Sequence, residues 1–280
     1  MKKCLIIVNT YKKVSTQLGE EIKEYLKRLD VESDIFLFNG FCEEYPFPGY
    51  DFVITLGGDG TVLFAARGCA GLGIPIFPVN LGTFGFIASV QTNEWQEGLL
   101  SFLAGRMPVE ERSMIHAELI RNGSKRFASD GLNEVVISAK HAAHIVCIDV
   151  AFNSIPLGEF KADGIIVSTA TGSTAYNVAA GGPIIDPSLD AFVLTLMNPF
   201  SLSSRPLVLN ADGELEITIK PSRVSEVVVS VDGQIPIALH VNDCVRLRRT
   251  GDKALLVGCN PEKFFGALRS KLNWSGGPGA

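Results

Sequence analysis

The pattern of apolar residues changes near Met107-Pro108, and this change limits the folds open to the 280-residue chain. Before it, short apolar runs without polar alternation are separated by segments of helical spacing such as Gln17 to Asp30. Such strands require helices on both faces of a parallel sheet. After it, alternating or β-branched runs are separated by turn signals such as Asn122-Gly123. The sequence therefore predicts an α/β domain followed by a β-rich domain.

The predicted fold class is an N-terminal doubly wound α/β domain followed by a mostly antiparallel, β-sandwich-like all-β domain. Phe264-Phe265, Leu268 and Leu272 form a last helical pattern, which we expect to return to the first domain. The predicted boundaries are residues 1–110 plus 261–280 for the first domain and 111–260 for the second. Ser275 to Ala280 lacks core-forming side chains, so we expect it to fray.

Composition and charge exclude several classes of protein. A hydrophobic fraction of 46% with 20% charged residues excludes a disordered chain. A net charge of −5 gives no general attraction for nucleic acid or an anionic membrane. No apolar run approaches the ~20 residues of a membrane span, and the run after Met1-Lys2-Lys3 is too short for a signal peptide. Six cysteines without a C-x-x-C pair indicate reduced thiols. We expect a soluble, cytoplasmic protein.

A glycine-rich loop with one acidic residue follows the apolar run Phe52 to Leu56, and a helical pattern begins directly after it. The loop is Gly57-Gly58-Asp59-Gly60-Thr61. Glycines at the carboxyl end of a parallel strand let backbone N–H groups approach phosphate oxygens. Asp59 would repel a phosphate unless a divalent cation lies between them or its carboxylate removes a proton from an attacking hydroxyl. The alternative is a helix N-cap, because Asp-Gly is a common turn signal that occurs four more times in this chain.

Two further segments carry groups that suit a nucleoside. The run Thr171-Gly172-Ser173-Thr174-Ala175-Tyr176 follows a strand pattern and offers hydroxyls and a stacking ring, although a turn capping a short helix explains it equally well. In Asn133-Glu134, a carboxylate next to an amide can bind the two vicinal hydroxyls of a ribose. The alternative for this pair is an exposed strand end.

Several other catalytic motifs do not occur in the sequence. It has no G-x-x-x-x-G-K-[ST] P-loop, no G-x-G-x-x-G after the first strand, no H-E-x-x-H and no G-x-S-x-G. His116, His141, His144 and His240 lack the neighbouring carboxylates or cysteines of a metal site. P-loop, Rossmann and zinc-enzyme interpretations therefore lose support.

Taken together, these motifs resemble the NAD kinase family, within the wider diacylglycerol kinase, NAD kinase and phosphofructokinase-like group. The Gly-Gly-Asp-Gly loop alone is shared with diacylglycerol, sphingosine and 6-phosphofructo-kinases. The ordered set is more specific. It comprises Gly57 to Thr61, Asn80 to Phe86, Asn133-Glu134, Asp163 to Tyr176, Gly181-Gly182-Pro183, Ser204 to Leu207, Asp232-Gly233-Gln234 and Phe265 to Trp274.

The resemblance implies a phosphotransferase that converts NAD to NADP by phosphorylating the 2′-hydroxyl of the adenosine ribose. ATP or polyphosphate would be the donor, and a divalent cation, usually Mg²⁺, would be held mainly by the donor phosphates with no direct protein ligand. Partners from nucleic acid or membrane are not expected. Family members are commonly homodimers or homotetramers whose sites are built across subunits, so we expect the same here.

The resemblance also implies residue roles. Asp59 would be the catalytic proton acceptor, and Gly57, Gly58, Gly60 and Thr61 would line the donor phosphates. Asn133 and Glu134 would bind the adenosine ribose, while Lys161 and Asp163 would lie near the nicotinamide half. The expected NAD-binding set is Asp59, Gly60, Phe86, Asn133, Glu134, Lys161, Asp163, Thr171, Thr174, Ala175, Tyr176, Ala179 and Gln234.

The sequence departs from the family pattern at two places and leaves two alternatives. Phe64 stands where a basic residue is common after the glycine-rich loop, and Arg67 could supply that charge instead. Ala170 stands where a proline is common. A lipid kinase of the diacylglycerol type would share the loop but gives no reason for Asn133-Glu134 with Tyr176. A non-catalytic dinucleotide sensor would have little use for a carboxylate at Asp59.

Overall fold

The computed structural model describes residues 1–40, 45–82, 85–141, 144–222 and 226–274. The chain forms two compact units, Met1–Glu111 with Lys253–Ala280, and Arg112–Asp252. Three predictions lie outside the described residues: the thiol state of Cys42, part of the Asn80 to Phe86 motif at Thr83-Phe84, and the fraying of the last six residues. Within the described ranges, no helix is both long enough and apolar enough to cross a bilayer.

The first unit begins with alternating strands and helices. In chain order these are β1 (Lys2–Asn9), α1 (Lys13–Arg28), β2 (Val31–Phe38), β3 (Phe52–Gly57), α2 (Asp59–Cys69), β4 (Ile76–Asn80), β5 (Val90–Gln91) and α3 (Trp95–Leu103). The strands pair in the order β2-β1-β3-β4-β5, and every pair is parallel. The carboxyl ends of β1, β3 and β4 therefore meet at one edge, which is where open α/β sheets bind ligands.

The burial of the strands and the spacing of apolar residues in the helices explain why helices cover this sheet. All six residues of β3 are buried, as both-face coverage requires. Leu18, Ile22 and Leu26 lie four residues apart on one face of α1 and pack in the core that contains Ile6 and Ile54. The predicted doubly wound α/β domain is confirmed.

The rest of the chain is mostly strand. Its elements are β6 (Val109–Arg121), β7 (Ser124–Gly131), β8 (Glu134–Ala139), β9 (Val146–Phe152), β10 (Ile155–Ala162), β11 (Gly164–Thr169), α4 (Tyr176–Ala179), β12 (Ala191–Met197), β13 (Leu207–Asn210), β14 (Leu215–Ile219), β15 (Val227–Val231), β16 (Ile237–Leu239), β17 (Cys244–Val257) and α5 (Pro261–Leu272). One six-stranded sheet has the antiparallel order β13-β12-β11-β8-β15-β16.

The second unit is an antiparallel sandwich. Its other layer contains β10, β9, β14 and the first part of β17, together with the β6–β7 hairpin. Ile137 and Val167 from the six-stranded sheet share one buried core with Val150 and Ile217 from this layer. Two apolar sheet faces that pack together exclude water from both, which is the main stabilising contribution in such folds. The predicted sandwich-like domain is confirmed.

The C-terminal helix belongs to the first unit, as predicted. α5 begins at Pro261, and the side chain of Asn260 caps it by accepting a hydrogen bond of 2.8 Å from the Lys263 N–H. The Lys263 ammonium donates to the Ser89 carbonyl at 2.9 Å. The Phe264 ring lies 6.3 Å from that of Phe86. These contacts hold α5 against the loop that follows β4.

Candidate active site

The glycine-rich loop occupies the carboxyl edge of the parallel sheet. β3 ends at Gly57, and the Leu81 N–H donates to its carbonyl at 2.7 Å. The side-chain amide of Asn9, at the end of β1, donates to the Thr61 hydroxyl at 3.2 Å. A Cβ on Gly57 would overlap that hydroxyl, so only glycine permits this close packing. The loop is thus held by groups from the ends of three strands.

Asp59 is bound to a distant loop rather than to its own helix. Its Oδ2 accepts a hydrogen bond from the Phe86 N–H at 3.2 Å, and its Oδ1 accepts one from the Ala88 N–H at 3.1 Å. α2 has Gly58 as its N-cap and no side-chain cap, so the N-cap interpretation of Asp59 is wrong. Each carboxylate oxygen can accept a second hydrogen bond. The half-buried carboxylate is therefore fixed in orientation and still able to accept a proton.

Phe64, which replaces a common basic residue, does not face a charged ligand. It is 1% exposed, and its ring stacks on that of Phe38 with centroids 4.3 Å apart. Arg67 is half-buried in the last turn of α2. Phe86 is also half-buried, and the Lys271 ammonium lies 4.9 Å above its ring.

A basic side chain that the sequence analysis missed, that of Lys12, lies at the same edge of the sheet. Lys12 immediately precedes α1, and its Nζ lies 2.9 Å from where a Cβ on Gly82 would be. The Gly82 N–H donates to the Asn80 side-chain oxygen at 3.0 Å, which orders the end of β4. The signal was available, because a basic residue just after the first strand of a parallel sheet is carried to the edge where the glycine-rich loop lies.

Asn133 and Glu134 belong to the second unit, and both are buried, at 9% and 8% exposure. Glu134 is the first residue of β8, but because it is buried, the interpretation of this pair as an exposed strand end is wrong. The Asn133 carbonyl accepts a hydrogen bond from the Thr169 N–H at 2.8 Å. The Oε2 atom of Glu134 has no hydrogen-bond partner within the described part of the chain.

The environment of Glu134 disfavours its charged form. Burial and, to a smaller extent, the negative charge of Asp232 raise the pKa of this carboxyl to about 8, although a hydrogen bond with the Tyr176 backbone acts in the opposite direction. A buried acid with a raised pKa and an unsatisfied oxygen is typical of a functional site, because a structural carboxylate is normally fully paired.

The sequence analysis places Asp232 in a family motif and in an Asp-Gly turn but gives its side chain no role. Its carboxylate accepts hydrogen bonds from the N–H groups of Leu132 at 2.8 Å, Asn133 at 2.8 Å and Glu134 at 3.1 Å. The Asp232 N–H in turn donates to the Glu134 carbonyl at 2.9 Å. This side chain is the main polar contact of the segment that precedes β8.

The hydroxyl-rich segment packs directly against Asn133. β11 leads into a 3₁₀ turn at Thr171–Thr174 and then into the one-turn helix α4. A Cβ on Gly172 would overlap the Asn133 backbone, so this glycine allows the two chains to touch. Thr171 is buried, Thr174 and Ala175 are half-buried, and Tyr176 and Ala179 are exposed. The structure therefore brings the predicted Thr171 to Tyr176 segment together with Asn133 and Glu134.

The Gly181-Gly182-Pro183 motif has a structural role through Asn177, which the sequence analysis did not select. The fully buried Asn177 donates to the carbonyls of Ser173 at 3.1 Å and Pro183 at 2.9 Å. Its side-chain oxygen accepts a hydrogen bond from the Thr195 hydroxyl at 2.7 Å. Gly182 lies where a Cβ would overlap Asn177, so the glycine is needed for these contacts.

Lys161 and Asp163 lie away from Glu134. In the β8–β11 pair, Glu134 is opposite Ser168, whereas Asp163 immediately precedes the other end of β11. Five residues along the chain separate Ser168 from Asp163, a distance of about 17 Å in an extended strand. Asp163 accepts a hydrogen bond from the Asn198 side chain at 2.9 Å, and Lys161 is exposed. Gln234 is half-buried and follows the Asp232-Gly233 turn.

The described residues contain no cluster of three or more His, Cys, Asp or Glu side chains that could hold a metal ion. Donor phosphate oxygens and water would suit Mg²⁺, because this ion usually keeps several waters and binds substrate phosphates. That the cation is held by the donor phosphates stays a prediction.

Comparison with known proteins assigns the chain to a family. Residues 38–107 match the ATP-NAD kinase N-terminal domain, and residues 132–258 match the ATP-NAD kinase C-terminal domain. An NAD kinase from Treponema denticola is 43% identical over 277 residues, which cover 99% of this chain and 98% of that protein. The chain belongs to the NAD kinase family. An NAD kinase from Treponema pallidum is 42% identical over 98% of this chain and 90% of its own length.

Solved structures of an NADH kinase and an NAD kinase share the fold. Yeast NADH kinase, solved with NADH, has a TM-score of 0.87 over 99% of this chain and 89% of its own, at 21% identity. The Archaeoglobus fulgidus NAD kinase, solved with ATP, has a TM-score of 0.77 over 96% of this chain and 99% of its own, at 24% identity. The NAD kinase resemblance is thus confirmed, and these matches give no support to the lipid kinase alternative.

Proposed function

We propose that Asp59 is the proton acceptor in the ATP-dependent phosphorylation of NAD to NADP. That reaction is the activity indicated by membership of the NAD kinase family. The observation that carries the assignment is the match along nearly the whole chain to NAD kinases. The fixed carboxylate of Asp59 at the carboxyl edge of the parallel sheet supports its role.

The chemistry assigned to Asp59 is general base catalysis. The 2′-hydroxyl of the adenosine ribose donates a hydrogen bond to the carboxylate and loses its proton to it as the oxygen attacks the γ-phosphorus of ATP. The new O–P bond forms while the bond to ADP breaks. The Phe86 and Ala88 N–H groups keep the carboxylate oriented, which lowers the entropic cost of reaching the reactive geometry.

NAD recognition is assigned mainly to residues of the second unit, and Phe86 stays a predicted NAD-binding residue of the first. Asn133 and Glu134 would bind the ribose hydroxyls, because the unsatisfied Oε2 of Glu134 can accept an O–H donor. Their neighbours would line the base and the remaining parts of the dinucleotide. These are Gly60, Thr171, Thr174, Ala175, Tyr176, Ala179 and Gln234.

Donor recognition is assigned to the glycine-rich loop. Backbone N–H groups of Gly57, Gly58, Gly60 and Thr61 would approach the phosphates, and the start of α2 favours negative charge. Lys12 would supply the positive side chain that Phe64 cannot. A divalent cation, Mg²⁺ in our proposal, would neutralise the developing charge on the phosphoryl oxygens. Polyphosphate is a second donor to be tested.

A homo-oligomer explains the position of Lys161 and Asp163. Asp163 lies about 17 Å along the strand from Ser168, the residue opposite Glu134, so we propose that one copy supplies Asp163 and the nearby Lys161 to the NAD site of a second copy. Closed symmetric dimers and tetramers are the usual assemblies of soluble enzymes. The five described cysteines are free thiols, which fits the reducing cytoplasm in which we place the protein.

The activity is tested by incubating the purified protein with NAD, ATP and Mg²⁺ and measuring NADP with an NADP-specific dehydrogenase. Parallel reactions replace ATP with polyphosphate, NAD with NADH, or NAD with diacylglycerol. We expect NADP from NAD with ATP and no phosphorylated lipid. Lipid phosphorylation without NADP would overturn the assignment in favour of the lipid kinase, and NAD binding without any turnover would favour a dinucleotide sensor.

A further inference from the structure

Asp232 holds the chain segment that carries the two proposed ribose-binding residues. Asp232 is 7% exposed, and its carboxylate accepts hydrogen bonds from the N–H groups of three consecutive residues, Leu132 to Glu134. On the opposite side of the same segment, the Thr169 hydroxyl donates to the Leu132 carbonyl at 2.6 Å and the Thr169 N–H donates to the Asn133 carbonyl at 2.8 Å. The backbone of this segment is therefore bound from both sides.

A turn alone does not require this aspartate. Asp232 and Gly233 both have positive φ, 47° and 66°, and the Gln234 N–H donates to the Val231 carbonyl at 2.9 Å. Such two-residue turns accept Asn as readily as Asp. Only a carboxylate, however, presents two acceptor oxygens and no donor to three N–H groups. The identity of the side chain is thus explained by the segment it holds.

The proposal rests on the assignment of Asn133 and Glu134 to the ribose of NAD. We propose that Asp232 is a positioning residue for the nucleotide substrate: it holds the backbone of Asn133 and Glu134 so that their side chains meet the ribose hydroxyls, without touching the substrate itself. Asp232 also places a negative charge beside the Glu134 carboxyl, so its loss changes the proton affinity of that group as well as its position.

Asp232→Asn tests the proposal because it keeps the size of the side chain and suits the turn, while it replaces one acceptor oxygen with a donor. We expect the KM for NAD to rise about 10-fold or more, because small displacements of binding groups are costly, whereas the KM for ATP stays within about 2-fold. The pH at which the KM for NAD changes should also move to lower values. Asp212→Asn is the matched control, since Asp212 also precedes a glycine but is exposed and pairs with Arg249 at the surface.

The outcomes separate this proposal from the function on which it rests. If Glu134→Gln raises the KM for NAD but Asp232→Asn leaves both that KM and its pH dependence unchanged, the positioning role is overturned while the ribose assignment stands. If Glu134→Gln itself has no effect on NAD, the ribose assignment has failed. If Asp232→Asn raised the KM for ATP as much as the KM for NAD, its role would be a general structural one, and the proposal would also be overturned.

A second variant covers the case in which Asp232→Asn does not fold. Thr169→Val removes the hydroxyl that holds the Leu132 carbonyl and accepts the Gly172 N–H, and it leaves Asp232 in place. We expect a selective rise in the KM for NAD here too. A folded Thr169→Val protein with an unchanged KM would show that the hold on this segment does not matter for binding.

Discussion

Glu134→Gln should make the stability of the protein less sensitive to pH, because it removes a buried group that resists ionisation. The pKa of Glu134 is raised to about 8 in the folded protein, mainly by burial, against an ordinary value of 4.5. A difference of one pKa unit corresponds to about 1.4 kcal/mol. Ionisation of Glu134 therefore costs the folded wild type on the order of 5 kcal/mol relative to the unfolded chain.

The sign of the change in stability with pH follows from the raised pKa of Glu134. Below about pH 4.5 the carboxyl is protonated in both the folded and the unfolded chain, and its full contribution to stability is present. Between pH 4.5 and about 8 the unfolded chain releases the proton while the folded protein retains it, so the free energy of unfolding falls as the pH rises. Above that range both states are ionised, and the loss is complete. The glutamine variant has no such proton to lose.

Urea unfolding of the wild type and the variant without NAD measures this effect. From pH 5.5 to 7.5 we expect the free energy of unfolding of the wild type to fall by about 2.5 kcal/mol relative to Glu134→Gln. Glu226→Gln serves as the control. The pKa of Glu226 is lowered by its hydrogen bond and ion pair with Lys140 at the surface, so this carboxyl is ionised in both states from pH 5.5 to 7.5 and its substitution should leave the pH dependence in this range unchanged. If the difference in the free energy of unfolding between the wild type and Glu134→Gln stayed constant with pH, the raised pKa of this carboxyl would be refuted.

Three further predictions concern the NAD site, the donor site and the site shared between copies. The KM of the wild type for NAD should fall as the pH rises through about 8, because the charged Glu134 carboxylate accepts hydrogen bonds from both ribose hydroxyls. In Glu134→Gln the KM for NAD should not change with pH in this range. The same pH dependence of the KM in the variant as in the wild type would contradict this. Lys12→Ala should raise the KM for ATP about 10-fold and leave the KM for NAD unchanged. Substitution of its exposed neighbour, Lys13→Ala, is the control and should have little effect on either KM. Equal kinetics in both variants would remove Lys12 from the donor site. Asp59→Asn and Asp163→Ala, each inactive alone, should regain activity when co-expressed, because a mixed oligomer has one intact site; lasting inactivity of proven mixed oligomers would reject the shared site.

The sequence predicted those parts of the molecule whose signals are local. A strand, a glycine-rich loop and a helix that follow one another directly, as from Phe52 to Cys69, must place Asp59 at the carboxyl edge of the sheet. The change from helical to alternating patterns predicted the two kinds of domain. The family motifs then predicted the activity, because their order along the chain is more specific than any one of them.

The elements that were missed have physical reasons for their weak patterns. α3 contains Gly98, which lowers helix propensity but allows close packing, because a Cβ at this position would lie only 3.3 Å from the Phe77 ring. β10 contains Pro156 and Gly158, with a register shift between them, and it pairs only with β9 among the described strands. α1 begins four residues before the predicted Gln17, because its first turn is held by the Ser15 hydroxyl rather than by apolar residues.

The missed site residues act across long sequence separations. Asp232 meets Leu132 from 100 residues away, and a search of local patterns finds only a turn there. Lys12 lies next to Gly82 only because parallel pairing brings β1 and β4 to the same edge. The raised pKa of Glu134 likewise depends on burial, which the sequence of a strand end does not disclose.

The most direct test of the central claim is the turnover of Asp59→Asn compared with its affinity for NAD. Single-turnover NADP formation measures the chemical step, and equilibrium titration measures binding. Asp30→Asn is the control, because Asp30 is an exposed turn residue of the same unit whose positive φ suits Asn. We predict that Asp59→Asn loses about 10² to 10⁴ in rate, as expected for removal of a general base, while its Kd for NAD changes less than about 3-fold. A rate within 10-fold of the wild type would contradict the assignment of Asp59 as the proton acceptor.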